Sequence, residues 1–238
     1  MRVVISSAPK SGNRWLKCLL RQIYDLEALH GREKPPTQPE AFRIWADKSF
    51  PDGTIFHQHC RCFSALCDAI DAVPAASVSI VRDPYDVFLS YYYWVQEQAR
   101  QRPDRGGQRP KDDLVGKPLD DPAVLAFLAD HFGATLQRAL EWVHSGRAII
   151  VRYEGLKDDP LAALTVATEA IRPVPEAAIV QAIETCRAEN MRQMGQQKQW
   201  QVSDAQLGGT RESLHLAHLA IFRERYAEQI HALGYALR

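Results

Sequence analysis

An apolar run, Val3-Val4-Ile5, passes through Ser6 into Ser7-Ala8-Pro9-Lys10-Ser11-Gly12-Asn13-Arg14-Trp15-Leu16 and then into a helical pattern. Strand, tight turn and helix N-terminus in that order build an anion site. The first-turn N–H groups of a helix lack intrahelical partners, and the helix dipole adds partial positive charge there. Lys10 and Arg14 bring cationic donors, Ser11 and Asn13 bring neutral ones, and Gly12 lets the backbone approach an anion closely. The spacing is not that of a Walker A loop, because here the lysine precedes the glycine. The same residues also suit an ordinary βα turn capped by Ser11 or Asn13, so the rest of the chain has to decide.

A second segment repeats the pattern. Val78-Ser79-Ile80-Val81 reads as a buried strand, and Arg82-Asp83-Pro84-Tyr85-Asp86 reads as a turn into a helix with Pro84 near its first position. In an open parallel sheet, ligands sit beyond the carboxyl ends of the strands, so Arg82 and Lys10 would face one crevice. Ser90, about two helical turns on, reaches it if that helix lies along it. The plainer alternatives are an Arg82 salt bridge to Asp83 or Asp86, and helix packing for the Tyr91-Tyr92-Tyr93 run.

These residues resemble the cytosolic-type sulfotransferases, which use 3′-phosphoadenosine 5′-phosphosulfate (PAPS). The family's Tyr-Pro-Lys-Ser-Gly-Thr-Thr-Trp is matched by Ala8-Pro9-Lys10-Ser11-Gly12-Asn13-Arg14-Trp15. Its Arg-Asn-Pro-x-Asp segment with a following Ser-Tyr-Tyr is matched by Arg82 to Asp86 and Ser90-Tyr91-Tyr92. Its Tyr-Glu-Asp-x-x-x-Asp-Pro is matched by Tyr153 to Pro160. The resemblance runs on to the closing Ala232-Leu233-Gly234-Tyr235.

The resemblance implies a P-loop-like three-layer α/β/α fold with a central parallel sheet, and PAPS as donor. Lys10 would stabilise charge on the leaving phosphate, with Pro9, Ser11, Gly12, Asn13 and Arg14 around the 5′-phosphate. Trp15 would stack on adenine, Tyr153 would approach it, and Arg82 with Ser90 would hold the 3′-phosphate. Core packing for Trp15 and a capped strand end for Tyr153 are the ordinary alternatives. The family's Thr-Thr is Asn13-Arg14 here, and its Arg-Lys-Gly-x-x-Gly segment corresponds to Gln206-Leu207-Gly208-Gly209-Thr210-Arg211, so Gly209 and Arg211 would stand in at the 3′-phosphate.

Transfer to a hydroxyl needs a base, and histidine titrates in the right range. Thr54 to His59 offers His57 and His59, which alternation puts on one side of a strand; His59 fits the family's register for the catalytic base. The same stretch holds a rival grouping, since Cys60, Cys62 and Cys67 join the histidines as zinc-type ligands. A strand running into a helix spreads those side chains over different faces, and no second ligand pair completes a site, so no metal is expected.

Length suits one α/β domain over 1–238. Zero net charge argues against nucleic acid as the main partner. No signal peptide or bilayer-length apolar run is visible, and the five cysteines lack a framework spacing. The expectation is a cytoplasmic chain with reduced thiols and no membrane partner, acting on a small-molecule acceptor. Whether it forms a homodimer is open, since the family's dimer motif is not evident.

The alternation predicts strands at Arg2–Ser7, Thr54–His59, Ser77–Arg82 and Ala148–Tyr153. Helices are predicted at Asn13–Leu26, Phe63–Ala72, Tyr85–Gln98, Pro122–His144, Pro160–Ile171, Glu176–Glu189 and Leu214–Leu233. Arg100 to Asp121, rich in Arg, Pro, Gly and Asp, reads as a mobile loop, either a lid over the acceptor or an insertion without a role. Lys198 to Asp204, with Trp200, is a second candidate gate. A P-loop kinase and a catalytically silent nucleotide binder remain alternatives, although no Walker B context is present.

Overall fold

A computed structural model describes residues 1–29, 50–62, 64–101, 109–193 and 213–238. These fall into two compact units, Met1–Arg82 with Arg138–Asn190, and Asp83–Gln137 with Met191–Arg238.

The first unit is built on a parallel five-stranded sheet in the order β2-β3-β1-β4-β5. The strands are β1 (Arg2–Ser6), β2 (Glu27–Ala28), β3 (Thr54–Gln58), β4 (Ala75–Val81) and β5 (Ile149–Arg152). Around it lie α1 (Asn13–Tyr24), α2 (Ser64–Asp71), the end of a helix described below, α6 (Tyr153–Asp158), α7 (Pro160–Ile171), α8 (Glu176–Thr185) and the start of α9 (Ala188–Gln193). β1 is central, pairing with β3 on one side and β4 on the other. Its carboxyl end is therefore a point where the strand order reverses, the position at which such sheets bind ligands.

Alternation explains why β1 can be buried on both faces. Val4 pairs in register with Phe56 and joins Phe50, Cys60, Cys67, Ile70 and Trp142 in one apolar cluster. Val3 and Ile5, of opposite parity along the strand, are fully buried as well, as are Leu16, Leu19 and Leu20 of the helix that follows. α1 keeps to its apolar spacing and ends where Asp25 takes a left-handed conformation and caps back onto the Arg21 carbonyl. α7 begins at Pro160, with the Asp159 side chain accepting from the Ala162 amide at 3.0 Å. The Asp-Pro of the third sequence motif is thus a helix start.

Several features of this unit differ from the sequence expectation, among them the short helix α6, which begins at Tyr153 where a strand end is expected. β2 was not foreseen, because two residues carry no periodicity. The helix predicted over Glu176–Glu189 stops at Thr185, where Cys186 forms its C-cap. Cys186 is disulfide-bonded to Cys18 of α1, with Cα atoms 6.0 Å apart, whereas the spacing had suggested reduced thiols. The reason is tertiary: α1 packs against α8 and brings together two cysteines that no local pattern links.

The second unit comprises α3 (Pro84–Gln101), a 3-10 turn (Pro110–Leu114), α4 (Pro122–Asp130), the start of α5 (Gly133–Ser145) and α10 (Leu216–Ala232). Its core is aromatic: Phe88 meets Phe132 at 5.5 Å between ring centroids, and Phe222 lies 4.3 Å from Tyr85. The helix predicted over Pro122–His144 is two helices, because the chain turns at His131-Phe132 to bury Phe132, and Gly133 passes against the Tyr226 ring.

The stretch predicted as a mobile loop is also different in part. Residues 102–108 lie outside the described set, but from Arg109 to Asp121 the chain is anchored. Leu114 is fully buried, the Gln96 amide donates to its carbonyl at 2.6 Å, and Tyr92 donates to the Lys117 carbonyl at 2.6 Å. Among the described residues no helix is long and apolar enough to cross a membrane.

Candidate active site

Residues 7–12 leave the carboxyl end of β1 and turn into α1. Lys10 adopts a left-handed backbone conformation (φ 68°), unusual for a residue with a side chain, and Gly12 has φ 103°. Gly12 is the N-cap of α1: its carbonyl accepts from the Trp15 and Leu16 amides at 3.0 and 3.1 Å. As a glycine it offers no side chain to the helix start, which leaves that end open to an outside acceptor.

The glycine is demanded by packing as well as by φ. A Cβ at position 12 would lie 2.6 Å from Tyr153 Cδ2 and 3.2 Å from Ile80 Cδ1. Tyr153, the first residue of α6, therefore closes directly over the turn. The Arg82 guanidinium lies 4.3 Å from the Tyr153 ring centroid and donates through Nη1 to the Lys10 carbonyl at 3.2 Å. Trp15 meets Tyr153 with ring centroids 6.1 Å apart, edge to face. Arg82 Nε is buried and finds no hydrogen-bond partner among the described residues.

The structure thus brings together Lys10, Gly12, Trp15, Arg82 and Tyr153, drawn from three strand ends by the parallel sheet. The set suits a polyanion carrying a ring: a turn with open amides, a lysine, and an arginine with a donor in reserve. Ser11 is buried in the turn and Arg14 is exposed on the first turn of α1. Asn13 is buried, and its amide is used within the turn: Oδ1 accepts from the Ser7 hydroxyl, and Nδ2 donates to the Ala8 carbonyl at 2.9 Å. Sequence reasoning had placed Asn13 among the phosphate donors; nothing local reveals that its side chain turns inward. Ser90 belongs to the second unit, where it is buried on α3. Gly209, Arg211 and the Lys198–Asp204 segment lie outside the described residues.

His57 and His59 do share a side, their ring centroids 5.9 Å apart. His59 Nδ1 is 2.9 Å from the Ser7 carbonyl, at the root of the same turn. The segment that follows is braced: Ser6 Oγ is 2.6 Å from Cys60 Sγ, and Trp142 Nε1 donates to the Cys60 carbonyl at 3.0 Å. Burial pushes the Cys60 thiol up, and burial together with the neighbouring Cys62 pushes Cys67 up to about 12. Among the described residues no group of three or more His, Cys, Asp or Glu side chains is arranged to hold a metal ion. On α1, burial and then the charges of Arg21 and Arg14 push Lys17 down to about 8.

No protein-family model and no curated protein sequence matches the chain. Solved structures do. A mouse sulfotransferase, SULT7A1, complexed with PAP is similar at TM-score 0.71 with 15% identity, covering 98% of this chain and 87% of that one. Retinol dehydratase in complex with androsterone and the inactive cofactor PAP gives TM-score 0.55 and 14% identity, covering 98% and 79%. The sulfotransferase domain from the curacin biosynthetic pathway gives 0.51 and 13%, covering 99% and 98%. The chain shares the fold of these sulfotransferases, as the motifs predicted.

Proposed function

We propose that this chain is a sulfotransferase, moving the sulfuryl group of PAPS to a hydroxyl or amine of a small-molecule acceptor. The observation that carries the reading is the convergence of Lys10, Gly12, Trp15, Arg82 and Tyr153 on one turn, with the His59 ring tied to the root of that turn. PAP, the product left when PAPS gives up its sulfuryl group, is bound in solved structures of this fold, which supports the same donor here.

The donor supplies an activated sulfuryl group whose bond to the bridging phosphate oxygen breaks as the acceptor oxygen or nitrogen bonds to sulfur. Lys10 and the open amides of the turn then stabilise the charge that returns to the phosphate. His59 takes the acceptor proton; with Nδ1 facing the Ser7 carbonyl, the basic lone pair of the neutral ring is on Nε2. Arg82, stacked on Tyr153 and holding the Lys10 carbonyl, keeps the turn in shape and carries a spare donor for a further phosphate. None of these roles needs a metal.

The test is a thermal-shift comparison of PAP, AMP and Mg-ATP, followed by transfer assays with PAPS. A ligand bound only by the folded state raises its stability once its concentration exceeds Kd. Selective stabilisation by PAP is the expected result; preference for Mg-ATP would instead favour a P-loop kinase.

A further inference from the structure

Asn13 occupies a place in the turn that neither a phosphate contact nor a helix cap explains. Its carboxamide uses two different atoms on two different residues, accepting from the Ser7 hydroxyl and donating to the Ala8 carbonyl. A threonine hydroxyl would have to serve both from one atom on a shorter stem. Ser7 is itself fully buried, and its carbonyl is the group that faces His59 Nδ1. Asn13, Ser7 and His59 therefore form a continuous chain from the first residue of α1 to the imidazole.

We propose that Asn13 is a positioning residue for His59. By clamping Ser7 and Ala8 it fixes the direction of the Ser7 carbonyl, and that carbonyl fixes the tautomer of the ring. A nitrogen facing a carbonyl oxygen must carry the proton, because two acceptors at 2.9 Å repel. The lone pair is thereby assigned to Nε2. The turn that offers its amides to an anion and the ring that takes a proton are set by one side chain, so the two halves of the site share a single support. The catalytic meaning of this coupling rests on His59 acting as the base; the coupling itself does not.

The test reads the ring directly. The full chain is labelled with nitrogen-15 in histidine, and long-range proton–nitrogen spectra are recorded above the ring's titration, with His59 assigned by its loss in His59→Gln. The native chain should show His59 protonated at Nδ1. Asn13→Leu, which fills the space without either hydrogen bond, should lower the fraction of the ring protonated at Nδ1. Ser7→Ala keeps the carbonyl but removes the hydroxyl that Asn13 grips; it should move the ring in the same direction, and it carries the test if Asn13→Leu fails to fold. In transfer assays Asn13→Leu should lower kcat about 10-fold, the scale of losing an outer-shell partner of a functional histidine, with a smaller change in the KM for PAPS. A native ring protonated at Nε2, or both variants leaving the tautomer unchanged, overturns the proposal. A tautomer shift in a chain that never transfers sulfuryl groups would uphold it and sink the sulfotransferase reading instead.

Discussion

Replacing Gly12 by alanine tests the architecture of the turn at its tightest point. Two costs add. At φ 103° an L-residue is forced beyond even the left-handed well, which costs roughly 1–2 kcal/mol or more. The new Cβ also lands 2.6 Å from Tyr153 Cδ2 and 3.0 Å from Cε2, and displacing a packed ring costs about 1–3 kcal/mol. The total expected loss is about 2–5 kcal/mol. Chemical denaturation followed by tryptophan fluorescence measures it from midpoints at a common slope, and PAP titration reports the site. The decisive comparison is a double-mutant cycle with Tyr153→Ala. In that background the ring is gone and the 3.2 Å contact with Ile80 remains, so Gly12→Ala should cost chiefly the backbone part, roughly 1–2 kcal/mol. Equal costs in both backgrounds, or a loss below about 1 kcal/mol in the native one, would refute the placement of Tyr153 over the turn.

Lys10→Gly should be more stable than Lys10→Ala by about 1 kcal/mol, because the left-handed backbone suits glycine; both should lose transfer, and retention of transfer in either would remove Lys10 from the active site. His59→Ala should lower kcat on the order of 10²–10⁴-fold while PAP binding survives; unchanged turnover would end its assignment as base. Cys18→Ser with Cys186→Ser opens a covalent loop with a sequence separation of 168 residues, and denaturation should show a loss of about 2–5 kcal/mol; the same midpoint for the native chain with and without reductant would mean the bond does not form in solution. Lys17, held at about 8 in the folded chain against about 10.4 for a free lysine, is a penalty fully present below pH ~8 and relieved as pH rises towards ~10.4. Lys17→Met should therefore stabilise the chain at pH ~7 and lose that advantage at pH ~10.5; a gain that does not vary with pH would refute it.

The placement of the candidate residues was legible wherever a local pattern carried it. Val3-Val4-Ile5 before a Lys-Ser-Gly turn, Val78 to Val81 before Arg82, and Ala148 to Val151 before Tyr153 each place a chemical residue at a strand end, and parallel pairing does the rest. What stayed hidden depends on distant partners. The inward turn of the Asn13 amide, which accepts from the Ser7 hydroxyl and donates to the Ala8 carbonyl, carries no local signature. Cys18 and Cys186 meet only because α1 packs on α8. Leu114, with Val115 and Leu119, is one of few apolar residues in a charged stretch, and its role shows only once Gln96 and Tyr92 bind the carbonyls around it. The break at Phe132 within an unbroken helical period is likewise set by the aromatic core that the phenylalanine enters.

The two units interleave along the chain, the first complete at Asn190 and the second begun at Asp83 but needing residues beyond Met191. During synthesis, the half-built second unit must therefore wait while β5 and α6 to α8 emerge and the sheet acquires its last strand. The turn from Lys10 to Gly12 can be finished, and Cys18 joined to Cys186, before α10 leaves the ribosome. A chain truncated after Asn190 should then retain the sheet while exposing the aromatic face of α3 that Phe222 covers, a species that chaperones would recognise and proteases would trim.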